Sequence, residues 1–201
     1  MNEKQPLDKE KQILGIEIEQ ILEFLSKIRE LTPECKADLR VAIKRQEVRK
    51  DEVILKIGEI NDRLYFIRQG AMYCSYYVGE DEVTSWIFSI FQFVCSISSF
   101  YERKASKDCI VVMEDGVLLY IMRDAYENLC AAHHCFSEIA RLQLQRYLVE
   151  FENHPRFIRR HKADERIRIV RGQLGDFYYR IPRNILASWL DMDPATFSRN
   201  Q

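Results

Sequence analysis

The sequence predicts an α+β fold: an antiparallel β jelly-roll barrel with flanking helices, followed by a long helix and a small helical module. Three observations predict it. Between Asp51 and Phe88 short apolar runs alternate with turn signals, at the spacing of about 8–12 residues that marks an antiparallel barrel or sandwich. From Asp124 the apolar period changes from two to that of a helix. Near the C-terminus two short helical patterns stand about three residues apart, as in a helix-turn-helix.

Composition fits this class. Of 201 residues, 47% are hydrophobic and 30% charged, as in an ordinary globular chain rather than a disordered one. No apolar run reaches the ~18 residues of a membrane span, and the polar start lacks the apolar core of a signal peptide. A cytoplasmic protein with no membrane partner is expected. The six scattered cysteines are expected to be free thiols. Charge is uneven. Residues 155–201 hold ten Lys or Arg against five Asp or Glu, a net +5, so residues 1–154 carry −6 of the total −1. A basic end on an acidic body points to a polyanionic partner for that end.

In chain order, residues 1–12 are expected to be mobile. Ile13, Ile16, Ile21, Leu22, Leu25 and Ile28 recur at helical spacing. Thr32 can cap a second helix with Pro33 in its first turn. Barrel strands are expected from near Glu47. Val53, Leu55 and Ile57 alternate with polar neighbours, Leu64–Ile67 form an apolar run ending at Gly70, and Met72–Val78 and Val83–Phe88 are joined by a polar reversal at Gly79. The apolar, then serine-rich stretch from Ser89 to Ser106 predicts a short helix between strands. Asp108–Met113 and Gly116–Met122 read as a hairpin turning at Glu114-Asp115-Gly116. A barrel unit over 13–123 is therefore expected.

Residues 124–162 form the next unit. A helix from Asp124 toward Glu152 carries one stripe of Phe136, Ala140, Leu144, Tyr147 and Phe151, and another of Cys135, Ile139, Leu142 and Val149. A helix apolar around so much of its circumference needs two covering surfaces. The barrel supplies one, and the first stripe on a second copy of the chain supplies the other, giving a two-fold homodimer. Pro155 is expected to end the helix near Asn153.

Residues 163–201 form the last unit. Asp164–Gly175 reads as a helix and Phe177–Ile181 as an extended piece. Pro182 opens a helix that buries Ile185, Leu186, Trp189 and Leu190, and Asp193 caps another that has Pro194 in its first turn. Thr196 and Arg199 share a face there. Arg199 can contact guanine in a bidentate manner, whereas Thr196, Ser198 and Arg183 suit phosphates or single acceptors. Ala195 has nothing to read with.

Other chemistries fit poorly. Cys130, His133, His134 and Cys135 cluster without a standard zinc spacing, so packed thiols and rings are expected and no metal. Neither a phosphate-binding glycine loop nor a nucleophile elbow is present, and no enzyme is expected.

The order of helices, a barrel containing GEINDRLYFIRQG, a long helix and the tail IPRNILASWLDMDPATFSR resembles the Crp/Fnr family of transcription regulators. The resemblance implies a cyclic-nucleotide-binding-type sensor, a dimerisation helix, and a winged-helix-like reader of double-stranded DNA with its wing absent or truncated. It also implies an effector pocket near Ser96, Ser98, Ser99, Ser106 and Lys107. The family's pocket uses a Gly-Glu pair and later an Arg-Ser pair. Here Cys95-Ser96 and Ser106-Lys107 stand in those places. Without that arginine, cyclic AMP is not expected to bind and no cofactor is assigned, although Arg103, Lys104 and Lys107 leave charge for another small anionic effector. Where the family's turn carries glycine, Asp191 stands, a residue that tolerates the left-handed conformation. The alternative is a sensor or interaction protein with degenerate DNA binding.

Overall fold

A computed structural model gives the backbone of residues 4–200 and the side chains of residues 12–200. Helix α1 spans Lys4–Ile28. It takes in most of the segment expected to be mobile, and residues 1–3 of that segment lie outside the described residues. Helix α2, Pro33–Ala42, begins as its sequence requires, with Thr32 Oγ1 accepting the Cys35 N–H.

The barrel is built on two long antiparallel strands. They are β3 (Arg63–Val78) and β6 (Cys109–Met122), paired along most of their length from Arg63↔Met122 to Ser75↔Cys109. The remaining strands are β1 (Lys44–Val48), β2 (Val53–Leu55), β4 (Asp81–Phe88) and β5 (Phe93–Val94). The sheet runs β1-β6-β3-β4, with β2 added to β6 and β5 to β3. β3 and β6 each replace two expected strands, so the expected hairpin at Glu114-Asp115-Gly116 does not form. The ladder instead shifts register between Ile67 and Met72. At this bend Gly70 has φ +92°, and a Cβ on Gly116 would lie 2.1 Å from the Gln69 carbonyl oxygen. The two glycines let paired backbones cross where side chains would collide. They bend a continuous ribbon rather than end a strand.

Helix α3 (Ile97–Glu102) is the short helix expected in the serine-rich stretch. The long helix is in fact two. α4 spans Arg123–Ala132 and α5 spans His134–Arg160, broken at His133 in an extended conformation. Pro155 does not end α5, which continues through it to Arg160. Phe157 and Ile158 beyond it pack into the tail's core, and that burial offsets the one backbone hydrogen bond proline removes.

The tail comprises α6 (Ala163–Leu174), a 3-10 turn over Gly175–Arg180 where an extended piece was expected, α7 (Arg183–Trp189) and α8 (Pro194–Arg199). Its core of Ile167, Val170, Tyr178, Leu186, Leu190 and Phe197 is continuous with Ala71, Ile87 and Met113 on the outside of the barrel. A second core joins α1, α2, α4 and α5 to Phe66 and Leu119, and a third fills the barrel around Ile67, Met72, Ile110 and Leu118.

Candidate functional site

Asn61 organises the segment expected to line the pocket. It is buried, its N–H donates to Ser99 Oγ at 2.9 Å, its Nδ2 to the Arg63 carbonyl at 2.7 Å, and its Oδ1 accepts the Ser96 N–H at 2.7 Å. The serine hydroxyls then bond to polar groups of Lys104 and Asp108. Ser96 Oγ donates to Asp108 Oδ2 at 2.5 Å, and Ser99 Oγ to the Lys104 carbonyl at 2.6 Å. Ser106 Oγ donates to the Asp108 carbonyl at 2.9 Å and accepts the Asp108 N–H at 3.0 Å. All three are buried. Buried hydroxyls are recruited by nearby unpaired backbone groups, so these serines hold α3 and the start of β6 in place.

The structure places the five expected pocket residues apart. Ser98 lines a cavity, Ser96, Ser99 and Ser106 do not, and Lys107 is exposed. The nearby cations are committed to acids. Arg103 binds Asp124 and Glu127 at 3.0 and 2.9 Å, and Lys104 binds Glu102 at 2.8 Å. The Lys104 ammonium holds the Glu102 carboxyl below the usual carboxylate range. Sequence reasoning counted these cations as free because Arg103's partners lie on α4, far along the chain, and Lys104 pairs with Glu102 only through the fold of α3's end.

The cavity lies inside the mouth of the barrel, roofed by α5 and flanked by α1 and α2, with a volume of about 510 Å³. Trp86, Phe88, Phe93, Leu119, Tyr147 and Phe151 are among the apolar residues of its wall. Tyr147 is fixed by both polar groups of Phe93, its hydroxyl donating to the carbonyl and accepting the N–H, each at 2.8 Å. Burial pushes the Tyr147 phenol up and the Cys74 thiol up to about 12, so both stay neutral at ordinary pH.

Trp86 also faces the tail. Its ring centroid lies 4.6 Å from Phe151, 5.4 Å from His154 and 5.9 Å from Trp189. His154 stacks on Trp189 at 4.8 Å and donates from Nε2 to the Trp189 carbonyl at 3.0 Å. Burial lowers the His154 pKa below its ordinary value, and that hydrogen bond opposes the shift only in part. The Thr84 N–H of β4 donates to Ser188 Oγ of α7 at 2.8 Å, and Arg180 pairs with Glu114 of β6. This tryptophan–histidine–tryptophan seam went unread in the sequence, because residues 86, 154 and 189 show no shared period.

The expected dimer stripe is corrected in part. Phe136 is buried in the chain's own core, Ala140 packs against that core, and Tyr147 and Phe151 pack on the barrel. Leu144 of that stripe reaches the surface. The exposed apolar side of α5 is Leu144 (37% exposed), Leu148 (68%) and Val149 (54%). Ser137, Ala140, Arg141, Leu144, Gln145 and Leu148 border an open groove there, with Tyr126 and Cys130 of α4.

At the chain's other end, Asp193 caps α8 by accepting the Thr196 N–H at 2.9 Å, and Asp191 takes φ +55° in the turn, as its residue type allowed. Phe197 is buried, whereas Ser198 and Arg199 are exposed, and Arg199 Nη2 donates to Thr196 Oγ1 at 3.0 Å. Arg183 is exposed at the start of α7. The structure thus brings Thr196 and Arg199 together and leaves Arg183 on a different helix. Not every basic residue of the tail is free for a partner. Arg166 donates to the Leu190 carbonyl at 2.9 Å, and Arg171 covers the Tyr178 ring at 5.2 Å.

Residues 45–133 match the family model of the cyclic nucleotide-binding domain. The fold of this domain and its flanking helices is also found in solved structures. FixK2 of Bradyrhizobium japonicum aligns with a TM-score of 0.70 at 14% identity, over 79% of this chain and 82% of that one. The c-di-GMP responsive global regulator CLP of Xanthomonas campestris aligns with a TM-score of 0.67 at 15% identity, over 84% and 89%. The catabolite activator protein of Thermus thermophilus aligns at 0.53 and 20% identity, over 86% and 83%. No curated protein matches the chain. Among the described residues no group of three or more His, Cys, Asp or Glu is placed to hold a metal, and no helix is long and apolar enough to cross a membrane. All six cysteines are free. Cys130 is half-buried, and His133 Nε2 lies 2.8 Å from Asp38.

Proposed function

We propose that the protein is a cytoplasmic, homodimeric DNA-binding transcription regulator of the Crp/Fnr type, in which the cyclic-nucleotide-binding-type barrel is the sensor. The observation that carries the reading is the tail. Asp191 in the left-handed conformation and the Asp193 cap form the turn from α7 into α8, which supports a helix-turn-helix reading. Arg199 and Ser198 stay exposed on it. The bulk of the tail's positive charge outside its structural pairs lies on exposed Arg159, Arg160, Lys162, Arg168, Arg183 and Arg199. Long-range attraction from such a surface supports binding to a phosphate backbone.

The dimer follows from α5. A helix that leaves Leu144 and Leu148 on its outer side needs a partner, and an antiparallel or parallel copy of itself buries both. Light scattering should give twice 24.0 kDa, and Leu148→Glu should return it to 24.0 kDa.

Cyclic AMP is not proposed as the effector. Enzymatic chemistry is not proposed either, since the matched family is a ligand-binding domain. The test is a mobility shift on DNA upstream of the protein's own gene, with a salt series. A shifted band is expected, with log K falling several units per decade of salt. No band at about 10 µM protein in low salt, where phosphate contacts are strongest, would contradict the reading.

One observation favours the alternative, an interaction protein with degenerate DNA binding. α7 is docked on β4 and Arg180 on Glu114, which ties the tail to the barrel in this conformation.

A further inference from the structure

The barrel cavity has the size of a small-molecule site, about 510 Å³, within the usual range of roughly 300–1,000 Å³. Its wall decides what can enter. The charged side chains on it are Glu102 and Asp108, both acids, and no Lys or Arg among the described residues lines it. The cations nearest in sequence face elsewhere. Arg103 is held by Asp124 and Glu127, Lys104 by Glu102, and buried Arg123 by Glu127 at 2.9 Å and the Tyr101 carbonyl at 3.2 Å. A phosphate or carboxylate would lose its water and meet the like charge of Asp108 with no cation on the wall, an arrangement costly to bury.

We propose that this cavity takes a neutral, mainly apolar organic molecule bearing one hydrogen-bond donor. The apolar body lies against Trp86, Phe93 and Phe151, whose rings offer faces and edges for stacking. The donor, a hydroxyl or amine, meets Asp108. Its Oδ2 already accepts the Ser96 hydroxyl, and an ionised carboxylate has acceptor sites beyond that one bond. Ser98 sits exposed at the mouth, where it can take a second polar group. Trp86 forms part of both the cavity wall and the seam with His154 and Trp189, so a ligand that moves the indole changes how the tail is held. The inference rests on the sensor reading for its role, while the ligand class rests on the wall alone.

A matched pair of dyes tests it on the full chain. N-phenylnaphthylamine is neutral, apolar and carries one N–H, and anilinonaphthalene sulfonate is nearly the same molecule with an anion added. The neutral dye should bind about tenfold or more tightly than the sulfonate, and cyclic AMP should not displace it. Ser98→Arg places a cation at the mouth without touching the core. It should shift the ratio of affinities about tenfold toward the sulfonate, with an unchanged thermal melt. The proposal is overturned if the sulfonate binds the wild type as well as the neutral dye does. It is equally overturned if Ser98→Arg leaves both affinities unchanged, or if cyclic AMP displaces the dye. Neutral-dye binding that meets these conditions but leaves DNA affinity unaltered supports the ligand class and counts against the sensor reading.

Discussion

Two polar segments of this chain have similar residues and opposite fates. Ser96–Asp108 holds four serines, two lysines and an arginine, and Pro194–Arg199 holds a threonine, a serine and an arginine. In the first, three serines are buried in hydrogen bonds to backbone or to Asp108, and Arg103 and Lys104 are paired with acids. In the second, Ser198 and Arg199 remain exposed, and the internal bonds are the Asp193 cap and that from Arg199 to Thr196 Oγ1. The difference lies in the backbone around them. A short helix between strands leaves many unpaired N–H and C=O groups close to the barrel wall, and the nearest hydroxyls are drawn in to satisfy them. A capped helix at the surface leaves its side chains free. A polar residue type signals a site only when its own neighbourhood has no use for it.

The largest effect belongs to Trp86, which links the cavity to the tail. Trp86→Ala should cost about 3–5 kcal/mol, read by denaturant unfolding, and should loosen the tail against limited proteolysis. A loss confined to a few tenths would mean the ring only borders the cavity.

A smaller effect should separate adjacent serines. Ser99→Ala leaves the Asn61 N–H and the Lys104 carbonyl without their shared partner and should cost about 1–3 kcal/mol. Ser98→Ala at the exposed mouth should stay within about 0.5 kcal/mol. Equal costs would show that the serine segment is not divided as described.

The smallest effect is that of pH on the seam. The folded pKa of His154 is depressed by burial, so the unfolded or undocked chain takes up the proton first. Stability is therefore full above the ordinary histidine value of about 6.5 and declines as pH falls below it. His154→Gln should flatten that decline in a melt series, and an identical slope in the variant would remove His154 as its cause.

Much of this fold was legible. The Thr32 and Asp193 caps and the helical period of α5 depend on near neighbours in sequence, and each was readable from them, whereas the alternation of Val53, Leu55 and Ile57 buries only Leu55. The β3–β6 ribbon was not, because Gly70 and Gly116 read as turn signals one strand at a time, and only their mutual approach makes them a bend. The inward face of α5 was misassigned for a related reason. Tyr147 and Phe151 and the surface pair Leu144 and Leu148 are all apolar, and only the position of Phe93 and Trp86 decides which turn inward. The helices α7 and α8 were legible through the turn between them, while the docking of the tail to the barrel rests on Ser188, Arg180 and His154, which carry no periodic signal.

The exposed tail is proposed to read DNA. The most direct measurement is binding of wild type, Arg199→Ala and Arg183→Ala to the protein's best-selected site and to random duplex, across a salt series. Arg199→Ala should lose about 1–3 kcal/mol of discrimination between the two, because a bidentate contact to guanine is removed. Arg183→Ala should weaken both alike and lower the salt slope by about one unit. Equal discrimination by wild type and Arg199→Ala would contradict the claim.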